Sequence, residues 1–313
     1  MRRNIAITGA TGLLGSNLAN SFIENGDSVY ALIKDEQPTS ILSKNITRIY
    51  GDIQSRSDIE YFIQKSNPSH FIHLAAQTQA YESTQYPYQT FSSNILGTLN
   101  VVESLRHFAS CESIIIASSD KAYGELIGEG YDEGHPLKGV FPYDASKSAA
   151  DIIANSYRLT FNMPIVVTRA CNIYGVGDHN HNRLIPGILF SHLNSKVFQI
   201  RNQGGNIREY IHVQDVISAY KAIIQHTSTI NDVGAFNISS GEKLSTLEVF
   251  RMIEEIVGEK ISHTFTKNTS FEINRQVMDS SLLMQKTGWH ARLKIREVLP
   301  EIVSWYLKHY YWG

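Results

Sequence analysis

Short apolar runs with strand character alternate with longer stretches of helical period through the first 170 residues. Strands are predicted at 5–8, 28–33, up to about 50, 70–74, 113–117 and 165–170. Helices are predicted from the turn after the first strand to about 24, from 87 to about 108, and from 143 to about 161. This alternation predicts an α/β fold with a Rossmann-like, doubly wound parallel sheet. After Cys171 the rhythm changes. Helices are predicted at 182–193 and 214 to about 225, with a short one at 279–287 ended by Gly288 and Trp289; strands are predicted at 208–213 and 235–238, and 246–257 and 294–308 complete a mixed carboxyl-terminal part. The chain is therefore expected to divide into a first domain, 1–170, and a smaller carboxyl-terminal one, 171–313, interleaved with it around a cleft. No repeat, low-complexity tract or long linker interrupts this plan, and the aromatic tail Tyr310, Tyr311 and Trp312 receives no functional reading.

With 313 residues and 42% hydrophobic content the chain is long enough to bury a full core. A net charge of −2 gives no electrostatic footprint for nucleic acid or an anionic membrane, so neither is expected as a partner. Cys111 and Cys171 both stand beside β-like apolar runs, which predicts two buried free thiols and a cytoplasmic setting rather than a disulfide scaffold. Arg2 and Arg3 precede an uncharged stretch and raise the question of a signal peptide. Gly9, Gly12, Gly15, Asn17 and Asn20 interrupt any apolar core there and argue against it. No run of about 18 apolar residues is available elsewhere to cross a bilayer.

The first strand leads into Gly9-Ala10-Thr11-Gly12-Leu13-Leu14-Gly15 and then a helix. Strand, glycine turn and helix form a phosphate-binding context. Gly9 permits the tight turn, Gly12 lets backbone N–H groups approach a pyrophosphate, and Gly15 lets helix and strand pack closely. Thr11, Leu13 and Leu14 join them as candidate cofactor contacts. The second strand ends in Ile33-Lys34-Asp35, where an acid would favour NAD; Lys34 instead offers a cation to a 2′-phosphate, so the cofactor is read as NAD(P), leaning to NADP. Leu74, Ala75 and Ala76 close the fourth strand with small residues against which a cofactor can lie. His73, inside that strand, is read as a structural histidine bonded to backbone.

Tyr143 and Lys147 stand four apart at the start of a predicted helix, hence on one face and one turn apart. A cation within about 4–6 Å of a phenol favours the phenolate, so the pair is either a base or a solvated surface pair. The fifth strand is followed by Ser118-Ser119-Asp120-Lys121-Ala122-Tyr123-Gly124, at the carboxyl end where open α/β sheets bind ligands. Ser119 is placed to bond the hydroxyl that Tyr143 deprotonates, and Asp120 with Lys121 adds an acid and a base. The alternative for Asp120 and Lys121 is a solvated turn.

These glycines, Ser119, Tyr143 and Lys147 resemble the extended short-chain dehydrogenase/reductase family, and the landmarks extend over nearly the whole chain. Ser119, Tyr143 and Lys147 match its catalytic triad. The acid pair after the serine separates its nucleotide-sugar 4,6-dehydratases, usually Asp then Glu, from 4-epimerases, which lack it. Here Asp120 is followed by Lys121, which is similar to the CDP-glucose 4,6-dehydratases, as are residues 118–124, 143–148 and 171–178. The resemblance implies a nucleotide-sugar substrate, a nicotinamide cofactor and a homodimer with the 87–108 helix in its interface. It further implies that Asp52, with Ile53, contacts the adenine; as a residue, Asp52 reads equally as a turn or cap. Asn172 and Arg208, with Arg275, would hold the diphosphate, and Arg183 with the residues to 188 would border the base, unless each is an ordinary surface or interdomain residue. A 4-epimerase or decarboxylase is the alternative within enzymes, and a dinucleotide-binding sensor without turnover the alternative outside them.

Overall fold

The computed structural model describes residues 2–35, 41–108, 110–125, 128–230, 232–266 and 273–309. The aromatic tail Tyr310, Tyr311 and Trp312 lies outside the described residues. In chain order the elements are β1 (Asn4–Thr8), α1 (Leu13–Glu24), β2 (Ser28–Ile33), β3 (Thr47–Tyr50), α2 (Arg56–Ser66), β4 (His70–His73), α3 (Ala80–Gln85) and α4 (Pro87–Phe91). After a π turn at Ser92–Leu96 come α5 (Gly97–Arg106), β5 (Ser113–Ala117), a 3₁₀ turn at Asp120–Tyr123, α6 (Pro142–Phe161), β6 (Ile165–Ala170) and β7 (Asn172–Tyr174). The rest comprises α7 (Leu184–Leu193), β8 (Phe198–Ile200), β9 (Ile207–His212), α8 (Val213–Gln225), β10 (Ala235–Ile238), β11 (Lys243–Ser245), α9 (Thr246–Val257), β12 (His263–Phe265), α10 (Ser281–Thr287) and α11 (Ile295–His309).

Seven strands form one parallel sheet in the order β10-β6-β5-β4-β1-β2-β3. Both faces of its centre are covered, so β4 is buried along its whole length and β1 and β5 nearly so. The chain reverses direction across the sheet between β1 and β4. That switch point opens a crevice at the carboxyl ends of these strands, where ligands bind in such folds. Above it, β11-β9-β7 form a smaller sheet, and β7 follows β6 after Cys171 alone. A separate apolar cluster, including Tyr174, Tyr210, Phe250 and Tyr306, packs α7, α9 and α11 against that smaller sheet. Cys111 and Cys171 are buried free thiols, as expected.

The helix predicted from 87 to about 108 runs from Pro87 to Arg106, with the π turn set into it. Asn94 on that turn is buried; its Oδ1 accepts from the Gln77 amide at 2.7 Å, and its Nδ2 donates to the Gln77 carbonyl and to Ser146 Oγ. One wide turn is what lets a single side chain reach both the loop after β4 and the helix α6. A buried bidentate pair then fixes α6 to the sheet: Arg169 on β6 donates to both carboxylate oxygens of Asp151, at 2.8 and 3.0 Å. Removing one partner of such a pair costs roughly 3–5 kcal/mol, because the other charge is left buried.

Candidate active site

The glycine turn after β1 is shaped partly by packing and partly by something else. Gly9 has φ +73°, and a Cβ on it would lie 2.6 Å from the Ala75 amide nitrogen at the end of β4. A Cβ on Gly15 would lie 2.1 Å from the Gly9 carbonyl oxygen. Gly12 is exposed, and its nearest neighbour would be 3.6 Å away, so internal packing does not require it to be glycine. α1 starts there with no capping side chain and no acid in its first turn. Its open N–H groups and positive dipole end fit the pyrophosphate of a dinucleotide. Thr11 is half-buried, Leu13 is in the core, and Leu14, half-buried, packs against it. Leu74 and Ala75 are tied to β1 through the carbonyl and hydroxyl of Thr8, at 3.1 and 3.3 Å, and Ala76 follows them half-buried.

Two expectations around this turn need correction. Lys34 does not stand as an uncommitted cation, since its ammonium pairs with the Asp52 carboxylate at 2.9 Å and much of its attraction for a 2′-phosphate is offset. Asp52 also accepts from the Gln54 amide, while Asn100 holds the Ile53 carbonyl. Burial raises the Asp52 carboxyl, but the Gln54 amide and Lys34 outweigh it and leave it below the ordinary value. His73 is structural, yet its ring bonds hydroxyls rather than backbone: Thr8 Oγ1 at 2.7 Å and Thr98 Oγ1 at 3.2 Å. Burial, with Lys147 adding, pushes it down to about 3, so it stays neutral.

The loop after β5 and the start of α6 meet at the crevice. Ser119 Oγ donates to Asp120 Oδ1 at 2.8 Å, accepts from the Lys121 amide at 3.3 Å, and lies against the Tyr143 phenol. Tyr143 and Lys147 are both buried. Lys147 Nζ donates to the Ala117 carbonyl at 2.8 Å, and burial brings its ammonium down to about 8. The phenolate-favouring pair expected from the spacing is not formed by these two groups alone. Burial first, then Asp120 and Asp144, raise the Tyr143 phenol, and only Ser119 and Arg183 work the other way. Lys121 Nζ donates to Gln276 Oε1 at 2.8 Å, and its charge acts on the Asp144 carboxyl.

Three groups here went unnoticed in the sequence: Asp144, Glu209 and Gln276. Burial, with Asp120 adding, pushes the Asp144 carboxyl up to about 6, against Lys121 and Arg208. Burial also pushes Glu209 up to about 7, with Asp120 adding; its Oε2 accepts from the Met278 amide at 2.8 Å. No local spacing marks them, because 155 positions separate Lys121 from Gln276. Glu209 carries a stability consequence. Its pKa is raised in the folded state from an ordinary 4.5, so its contribution is complete below about pH 4.5 and is lost as pH rises through about 7. Glu209→Gln keeps an acceptor for Met278 and is expected to remove this loss, gaining on the order of 3 kcal/mol over wild type at pH 8 relative to pH 4.5. Denaturant unfolding at the two pH values checks it; parallel pH dependences in both proteins would refute the assignment.

Of the predicted substrate contacts, Arg183 and Arg208 act on the crevice electrostatically, through Tyr143 and Asp144 respectively. Arg183 pairs with Asp178 at 3.1 Å. Arg208 does not present an open fork: its guanidinium donates to the carbonyls of Ile207, Asn274 and Ile273. Asn172 Nδ2 donates to the Glu209 carbonyl at 3.0 Å, and Arg275 is exposed beside Ile207. Among the described residues no group of His, Cys, Asp and Glu has metal-site geometry, and no helix is long and apolar enough to cross a membrane.

The sequence profile of the NAD dependent epimerase/dehydratase family matches residues 5–239. The chain is 30% identical to the CDP-glucose 4,6-dehydratase of Salmonella typhimurium, over 97% of this chain and 90% of that protein. It is 27% identical, over 99% of its length, to a trifunctional UDP-glucose 4,6-dehydratase/UDP-4-keto-6-deoxy-D-glucose 3,5-epimerase/UDP-4-keto-L-rhamnose-reductase of Arabidopsis thaliana, and spans 48% of that longer protein. Its fold matches that of a dTDP-glucose 4,6-dehydratase of Streptomyces venezuelae solved with NAD bound, with a TM-score of 0.90 at 21% identity, over 100% of this chain and 98% of that one. With the profile spanning most of its 313 residues and the crevice offering a dinucleotide cradle, the chain belongs to the NAD dependent epimerase/dehydratase family.

Proposed function

We propose that this protein is a nucleotide-sugar 4,6-dehydratase, converting an NDP-hexose, CDP-glucose first among candidates, to the NDP-4-keto-6-deoxy-hexose. The observation that carries the reading is Asp120 and Lys121 beside Ser119 and Tyr143: a redox site with a separate acid and amine next to it. The identity to CDP-glucose 4,6-dehydratase supports putting CDP-glucose first. Gly9, Gly12, Gly15 and the start of α1 hold the pyrophosphate of the cofactor, within a dinucleotide-binding domain assigned to 1–170 and a substrate domain assigned to 171–313. NAD is proposed ahead of NADP, since Asp52 offsets Lys34. Arg208, Arg275 and Asn172 line the path of the nucleotide diphosphate and Arg183 borders the base; Arg208 must exchange carbonyl partners for phosphate oxygens to take part. A homodimer is also proposed, supported by exposed Leu96, Ile152 and Leu159 on the π turn and α6.

An oxidised nicotinamide bound beside Tyr143 supplies a hydride acceptor and a positive charge, and later returns the hydride. Tyr143 takes the proton of the sugar 4-hydroxyl while Ser119 holds that oxygen. The C4 ketone so formed acidifies C5–H, whose proton goes to Lys121. Asp120, as the acid, protonates the departing 6-hydroxyl, which leaves as water. Hydride returned to C6 and a proton returned to C5 complete the 4-keto-6-deoxy sugar, with no net change in the cofactor.

The test is incubation with candidate nucleotide hexoses and catalytic cofactor, read by mass spectrometry. Loss of water is expected. An unchanged mass with a new sugar would indicate epimerisation, and loss of carbon dioxide from a uronic acid would indicate decarboxylation. Reduced cofactor accumulating stoichiometrically without dehydrated product would sink the reading. No turnover of any such sugar would leave a cofactor-binding sensor.

A further inference from the structure

Residues 273–279 form a strap across the crevice, and its backbone is fixed from both sides. Towards the loop after β5, the Tyr131 amide donates to the Val277 carbonyl at 2.9 Å, and the Asp279 amide donates to the Tyr131 carbonyl at 2.7 Å. Towards β9, the Gln276 amide donates to the Ile207 carbonyl at 3.1 Å, and Glu209 Oε2 takes the Met278 amide at 2.8 Å. Arg208 adds its guanidinium to the carbonyls of Ile273 and Asn274. A side chain borne here has little freedom of position. Gln276 is such a side chain, 1% exposed, and its Oε1 accepts from Lys121 Nζ at 2.8 Å.

Lysine nitrogen donates hydrogen bonds in this contact, so the carboxamide orientation is fixed: oxygen towards Lys121, nitrogen away from it. That nitrogen, Nε2, is buried and has no hydrogen-bond partner among the described residues. Asp120 Oδ2, next to Lys121 in sequence, is likewise buried and unsatisfied. An orphaned buried donor is costly, and a glutamine serving only to fill space would be better replaced by methionine or leucine. One orphan, a donor, is on the side chain that holds the amine, and the other, an acceptor, is on the residue preceding Lys121, two groups that a hydroxyl could satisfy.

We infer that Gln276 is a positioning residue for Lys121: its Oε1 holds one N–H of the amine, aiming the nitrogen lone pair at the sugar, while its Nε2 takes a hydroxyl oxygen of the same sugar. The inference rests on the dehydratase reading for the identity of the sugar. Gln276 is neutral, so it fixes direction without the stabilisation of the ammonium that a carboxylate would bring. Asp144 on α6 is coupled to Lys121 by charge, and Asp120 and Arg208 on β9 act on Asp144 as well.

Two variants test this. Gln276→Met is expected to retain cofactor binding and reduction by the sugar, while C5 deuterium exchange from solvent falls tenfold or more at every pH. Gln276→Glu keeps the acceptor oxygen but adds a charge; exchange is expected to recover only at higher pH, its profile displaced in the alkaline direction. A glutamine that merely fastens the strap would leave both profiles shaped as in wild type. A second readout needs no substrate: acetylation of Lys121 by acetic anhydride, followed by mass spectrometry, is expected to be several-fold faster in Gln276→Met and slower in Gln276→Glu. Unchanged labelling and an unshifted exchange profile would overturn the inference. Wild-type protein that dehydrates no nucleotide hexose would sink the dehydratase reading instead, and the labelling would still decide the role of Gln276.

Discussion

Tyr143→Phe is expected to lower turnover by roughly 10³-fold while leaving cofactor affinity within a factor of a few. Phenylalanine fills the same buried site, and Ser119 keeps its bond to Asp120, so the fold loses one hydroxyl and little else. What disappears is the group that takes the 4-hydroxyl proton. Burial holds this phenol above its ordinary value, and a base is active only when deprotonated, so the wild-type rate is expected to climb with pH through the neutral range. That rise is expected to vanish in Tyr143→Phe. Single-turnover kinetics over pH, beside a fluorescence titration of the cofactor, measure both effects; a variant within tenfold of wild type would show that another group removes the proton.

The second large effect is expected at Lys121. Lys121→Met preserves side-chain length and is expected to abolish C5 deuterium exchange, by about 10²- to 10⁴-fold, with cofactor and nucleotide-sugar binding retained. Oxidation at C4 precedes the C5 step, so transient reduced nicotinamide absorbance is expected to persist in the variant. Loss of the ammonium has a side effect that can be followed separately. Lys121 opposes the rise of the Asp144 carboxyl, so without it Asp144 moves further up and the acid limb of the remaining activity shifts to higher pH. Exchange at C5 persisting at the wild-type rate would assign the proton to Asp120 or water, leaving Lys121 only to orient its neighbours.

The sequence by itself determined what depends on short spacings. Alternating strand and helix periods gave the parallel sheet, and all seven of its strands lie where the apolar runs predicted. Gly9 and Gly15 were recognisable because a turn and a close helix–strand contact need them within one local segment. Ser119 at a strand end, and Tyr143 with Lys147 on one helical face, follow from the same periodicities. Tertiary structure decided what depends on through-space charge and burial. It turned Lys147 to the Ala117 carbonyl, paired Lys34 with Asp52, and committed Arg208 to backbone carbonyls. It also brought Asp144, Glu209 and Gln276 around the loop after β5, with the last joined to Lys121 across 155 positions. Backbone periodicity sets which face of an element a side chain occupies; the proton affinity of a buried carboxyl is set by desolvation and by charges on other elements, which no local pattern encodes.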